Sequence, residues 1–170
     1  MKFQMEHKFD WPAEPIIEIL KRGEDLVPME DLPNVSSRKV LEQRREGKKL
    51  YKTLEWNVHG QIPKVAQKIL TPEMLTFKEV TVWDDDDCSF TTEIVPRYMR
   101  DKFSCKTKSK WIPQGENRTL RKFGGNLSIK VPIIGQTVEK TIIGYLKKNN
   151  DQNADMVRKF LKEKFGPPKK

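Results

Sequence analysis

The residues of this 170-residue chain whose types first suggest chemistry are two histidines, two cysteines and a run of four aspartates. His7 shares strand parity with Phe3, Met5 and Phe9, and His59 ends the segment that carries Trp56. Each reads as a packed or edge imidazole rather than a proton shuttle. Cys88 and Cys105 make neither a disulfide framework nor a zinc-type spacing, and read as small reduced side chains. In Asp84-Asp85-Asp86-Asp87, neighbouring side chains point in different directions. A calcium ion wants about six to eight oxygens and a glycine that permits the turn, so the run reads as an acidic hairpin turn. Gly124-Gly125 lacks the third glycine of a dinucleotide loop and reads as a bulge or bend in a strand. No nucleophile elbow, phosphate loop or His-x-x-x-His pair is present, and no metal or cofactor is expected.

A second set points to binding. Lys52, Leu54, Trp56, Phe77, Trp83, Phe90, Ile94, Trp111 and Phe123 lie in different strand-like segments and can share one concave face. Ile142, Tyr145, Leu146 and Asn149 lie on the helix expected to face them. A filled core is one reading of this set. The other is a pocket in which Lys52, Tyr145 and Asn149 orient an apolar ligand. Lys52, His59, Glu139 and Tyr145 would be the acid–base groups if the same pocket were catalytic. Further along, Ile62, Val65, Ile69 and Leu70 form an apolar stripe beside Lys64 and Lys68. That is the composition of a small interfacial helix at an anionic membrane, or of a docked lid with a solvated lysine face.

The elements that must hold these residues follow from periodicity. Residues 2–9 alternate as a strand, and Asp10 is placed to cap a short helix through Ile16, Ile17, Ile19 and Leu20 that Gly23 closes. An irregular acidic connection over residues 24–34 follows. Strands are predicted over 35–46, 48–59, 75–83, 88–95, 104–112 and 118–131, with a short helical insertion at 64–70. From Gln136-Thr137, apolar residues recur at helical spacing to Phe165, where Gly166-Pro167-Pro168 stops the helix. Val138, Ile142, Leu146, Val157 and Leu161 are its expected contact stripe. A helix that long exceeds what a small bundle needs and suits a curved sheet.

Composition agrees with one soluble α+β domain of 36% apolar and 34% charged residues. No apolar run approaches a bilayer span, and the first residues lack a secretory signal, so a cytoplasmic location is expected. Residues 1–96 carry 14 Lys and Arg against 18 Asp and Glu, whereas residues 97–170 carry 19 against 6. The basic half suits an anionic surface or simply a solvated exterior. No nucleic-acid reading motif accompanies it, so nucleic acid is not the expected partner.

The order strand, helical insertion, six-strand meander and long helix resembles the START-like, helix-grip superfamily of birch-pollen-type allergens, polyketide cyclases and lipid-transfer domains. The passage Val131-Pro132-Ile133-Ile134-Gly135 into Val138-Glu139 is similar to an uncharacterised bacterial START-like family. Phe9-Asp10-Trp11-Pro12 and the Ile62-Pro63-Lys64-Val65 insertion resemble the layout of PRELI-type phospholipid-transfer proteins. The resemblance implies a seven-stranded sheet around the C-terminal helix, with a cavity between them for a hydrophobic or lipid-like molecule. It leaves open whether that cavity binds only or belongs to a cyclase-type enzyme.

Overall fold

The computed structural model describes residues 1–32, 34–59, 64–68, 71 and 75–169. One antiparallel sheet takes in all seven strands: β1 (Lys2–Phe9), β2 (Val35–Glu46), β3 (Lys49–Val58), β4 (Thr76–Asp84), β5 (Ser89–Pro96), β6 (Phe103–Pro113) and β7 (Thr119–Ile129). Their order is β1-β7-β6-β5-β4-β3-β2, so β2 to β7 form a meander and β1 closes against its last strand. Two helices complete the fold, α1 (Ala13–Lys21) and α2 (Gly135–Phe165). The 31 residues of α2 span about 46 Å at 1.5 Å per residue. This is the helix-grip fold.

Capping differs from expectation at both helices. Pro12 rather than Asp10 precedes α1, with its φ already near the helical value. Asp10 instead pairs with Arg118 across the β6–β7 turn, at 3.3 Å. Helix α2 begins at Gly135, ahead of Gln136 and Thr137. A Cβ at Gly135 would sit 2.4 Å from the Ile129 carbonyl oxygen, so the helix starts against the end of β7. In the insertion between β3 and β4, only a 3₁₀ turn at Ala66–Lys68 is seen; Ile62, Ile69 and Leu70 lie outside the described residues.

Gly124 and Gly125 mark no bulge. Both keep register with β1 and β6 on either side. A Cβ on Gly125 would meet the Lys106 carbonyl oxygen at 2.2 Å, so β7 approaches its neighbour more closely there than any side chain allows. The register shifts of the sheet lie between β2 and β3 instead.

Two apolar clusters fill the two ends of the gap between sheet and helix. Phe9, Trp11, Ile16, Ile19, Trp83, Trp111, Val157 and Leu161 pack at the end holding α1 and the C-terminal half of α2. Phe3, Ala66, Cys105, Leu127, Ile129, Val138 and Ile143 pack at the other. Burial pushes the Cys105 thiol up to about 11, which keeps it a protonated packing group at neutral pH.

Candidate functional site

Strand register explains the space between those clusters. Side chains on the inner face fall into rows across the sheet, and Phe90, Trp83 and Leu50 occupy one of them. The next row reads Gly125, Thr107, Thr92, Thr81 and Lys52, a line of small residues ending in a long cation. Beyond it stand Cys105, Ile94, Glu79 and Leu54. Large side chains on both sides and small ones between leave a trough, and α2 crosses above it.

The resulting cavity has a volume of about 300 Å³. Thr81, Thr92 and Ser109 supply hydroxyls on the sheet side; Leu26, Val27 and Leu32 close it from the loop after α1; Asn153 and Val157 face it from α2. Of the residues expected to bind ligand, Lys52, Leu54, Trp56, Phe90 and Trp111 line this cavity. Phe77 stacks on Trp56 with ring centroids 6.5 Å apart. Ile94 and Ile142 pack into the second apolar cluster. Tyr145 and Asn149 are exposed on the solvent side of α2.

Helix register is the physical reason for those last two positions. The buried stripe runs through Val138, Glu139, Ile143, Ala154, Val157 and Leu161, which turns Tyr145 and Asn149 outward. Polar residues share that inner face. Glu139 accepts a hydrogen bond from the Ile129 backbone N–H at 2.7 Å and ties the start of α2 to β7. His59 is exposed and bonded to Ser36, so the Lys52, His59, Glu139 and Tyr145 groups do not converge.

Several cavity residues had escaped the sequence reading. Arg38, Glu79 and Arg121 are charged residues at inward strand positions, a signal that parity alone could have raised. Arg38 and Lys52 both turn to Asp25: Arg38 Nη2 lies 2.6 Å from Oδ2, and Lys52 Nζ lies 3.9 Å from Oδ1. Lys52 also donates to the Gly23 carbonyl at 3.0 Å. These bonds hold the loop after α1 over the cavity. Burial pushes the Glu79 carboxyl above its ordinary range, against the opposing pull of Lys52 and Arg38.

Arg121 is 6% exposed and sits under the middle of α2. It donates to Asn153 Oδ1 at 2.9 Å, to His7 Nδ1 at 3.1 Å and to the Asn150 carbonyl at 3.4 Å. The Phe9 and Trp111 rings lie 5.6 and 5.5 Å from its guanidinium carbon. On the far side of His7, Nε2 bonds Asp151 at 2.8 Å. Burial pushes the guanidinium down to about 10, with Arg158 adding to that shift and Asp151 opposing it, so Arg121 stays charged at neutral pH. Two buried side-chain donors have no acceptor among the described residues, Arg121 Nε and Trp56 Nε1. No metal-binding group of His, Cys, Asp or Glu occurs among the described residues.

A curved sheet gripping one long helix over a mixed apolar and polar cavity is the helix-grip arrangement, and similar solved structures share that fold. Residues 4–161 match the family described as "Protein of unknown function (DUF2505)", and the chain belongs to that family. Among solved structures, the Zhui aromatase/cyclase from Streptomyces sp. R1128 is similar with a TM-score of 0.68 and 12% identity, over 95% of this chain and 94% of that one. Norcoclaurine synthase from Thalictrum flavum, in complex with dopamine and hydroxybenzaldehyde, gives 0.66 and 15%, over 96% and 87%. A START superfamily protein from Mycobacterium smegmatis gives 0.54 and 14%, over 92% and 98%. At such identities the likeness is one of fold. No curated protein matches the chain.

Proposed function

We propose that this protein is a non-enzymatic binder of a small, largely hydrophobic molecule, held between the sheet and α2. The observation that carries this reading is the trough left by Thr81, Thr92 and Ser109 between two packed apolar clusters. Its volume of about 300 Å³ lies at the lower end of ligand pockets, which favours a ring system or short chain over a two-tailed phospholipid. Binding draws on desolvation of the ligand body against Leu50, Leu54, Phe90 and Trp111, while hydroxyls and charges set its orientation. The scattered positions of His59, Glu139 and Tyr145 favour binding over cyclase-type catalysis.

The reading extends to where the ligand is loaded. Val65, Ala66, Met99, Val131 and Ile134 pack into one cluster, which brings three connections to the same end of the molecule. There Ile133 is 99% exposed with φ at 72°, and Tyr98 is 49% exposed. Lys64, Lys68, Arg97, Arg100, Lys102 and Lys130 are exposed around them, with Asp101. An apolar tip in a basic rim suits an anionic bilayer.

Calorimetric titration with 2-naphthylmethanol tests the cavity. One-site binding is expected, and Thr92→Phe should abolish it while the circular dichroism spectrum is retained. Binding that survives the filled trough, or no binding in the unaltered protein, would exclude this site.

A further inference from the structure

Arg121 places a cation in the cavity wall that no carboxylate among the described residues contacts. We propose that it recognises a carboxylate, so that the ligand is a compact apolar body bearing a single carboxylate group seated against Arg121. The inference rests on the ligand-binding reading above and names the chemistry of that ligand.

Three observations carry it. The acceptors around Arg121 are neutral: an asparagine side chain, a backbone carbonyl and an imidazole nitrogen. Its Nε–H has no acceptor at all among the described residues. A buried cation normally finds an anion, because neutral dipoles replace only part of its lost hydration. Here Asp151 makes no hydrogen bond to the guanidinium: it bonds the far side of His7, acts on Arg121 at a distance, and is itself mostly exposed. Arg158, whose charge repels Arg121, also packs on Phe9. Arg158 is itself paired with Asp155 at 2.7 Å, so among the described residues Arg121 is the cation of this wall that touches no carboxylate.

The other cations of the cavity are already engaged. Arg38 and Lys52 turn to Asp25, and Glu79 stands near them. One unmatched positive charge fits a monoanion better than a phosphate dianion, and a guanidinium fits the planar geometry of a carboxylate. Trp111 lies beside Arg121 and lines the same cavity, so an aromatic or alicyclic body attached to that carboxylate would pack on the indole. The middle of α2 is built to match. Its apolar stripe is interrupted at Asn150 and Asn153, the residues that orient the guanidinium from above.

The test compares three ligands of one shape and different charge, 2-naphthoate, 2-naphthylmethanol and 2-naphthylmethylammonium, by calorimetry at neutral pH. The unaltered protein should bind the naphthoate at least about tenfold more tightly than the alcohol, and the ammonium most weakly. Arg121→Gln should erase the preference for naphthoate, bringing the affinities for naphthoate and alcohol within about threefold of each other. In the unaltered protein, the nitrogen-15 resonance of Arg121 Nε should shift with naphthoate and not with the alcohol, a readout that needs no variant to fold. Equal binding of naphthoate and alcohol, or a preference that persists in Arg121→Gln, overturns the carboxylate assignment and leaves the cavity reading standing. Failure of all three ligands to bind overturns both.

Discussion

Glu79 and Arg121 face one cavity, and burial acts on them in opposite directions. It favours the protonated carboxyl of Glu79 and disfavours the protonated guanidinium of Arg121. Because the folded pKa of Glu79 is raised, its favourable contribution is present below the ordinary carboxylate range and is lost as pH rises through the folded value. Glu79→Gln should therefore raise the urea midpoint at about pH 8 and leave it nearly unchanged at about pH 4. Equal midpoints for the two proteins at both pH values would show that the carboxylate remains hydrated. At this scale the sequence named part of the site. Lys52 and Trp56 were legible because they alternate with apolar neighbours in one strand. Arg121 and Glu79 share inward parity, a signal within their own strands, but what each meets there depends on residues of other elements.

Among the elements, α2 combines an accurate periodicity with a shifted face. The expected stripe of Val138, Ile142, Leu146, Val157 and Leu161 packs inward wholly or in part, whereas Tyr145 and Asn149, expected to face the cavity, are exposed. The buried face also includes Glu139 and Ala154, whose places are set by the β7 end and by close packing. Leu161→Ala, at a fully buried position, should destabilise by about 2–5 kcal/mol, whereas Tyr145→Ala should stay within about 0.5 kcal/mol. Urea unfolding of both variants checks the register, and a large loss at Tyr145 would refute it. Strand β7 offers a second test. Gly125→Ala drives a methyl group into the Lys106 carbonyl, so the β6–β7 pairing should loosen, seen as faster amide exchange across both strands than in the unaltered protein.

The whole molecule adds the surface on which the site is presented. Arg97, Arg100, Lys102 and Lys130 from the basic half of the chain and Lys64 and Lys68 from the other are exposed around Ile133 and Tyr98 at one end. Each basic residue near an anionic bilayer contributes about 1 kcal/mol, screened over about 10 Å at about 0.1 M salt. Binding to phosphatidylserine-containing vesicles should weaken steeply with salt, and again with Lys64→Glu and Lys68→Glu together. Ile133→Ser should weaken it without lowering the unfolding temperature, since that side chain packs on nothing. Undiminished binding to neutral vesicles, or vesicle binding insensitive to all three changes, would remove the bilayer from the proposed function.

Local sequence determined the strands, the long helix and their order, because period-two and period-3.6 patterns are written within a dozen residues. The cavity itself was decided only by tertiary structure. Thr81, Thr92 and Ser109 come from three strands, and nothing in their own segments distinguishes a threonine beside empty space from one beside solvent. Register set Thr81 opposite Thr92 and put Ser109 in the adjoining row opposite Phe90, and the loop after α1 closed over the gap through Asp25. Each of those contacts joins residues far apart in the chain. Whether space remains between packed layers depends on the sum of side-chain volumes across them, a quantity no single segment contains.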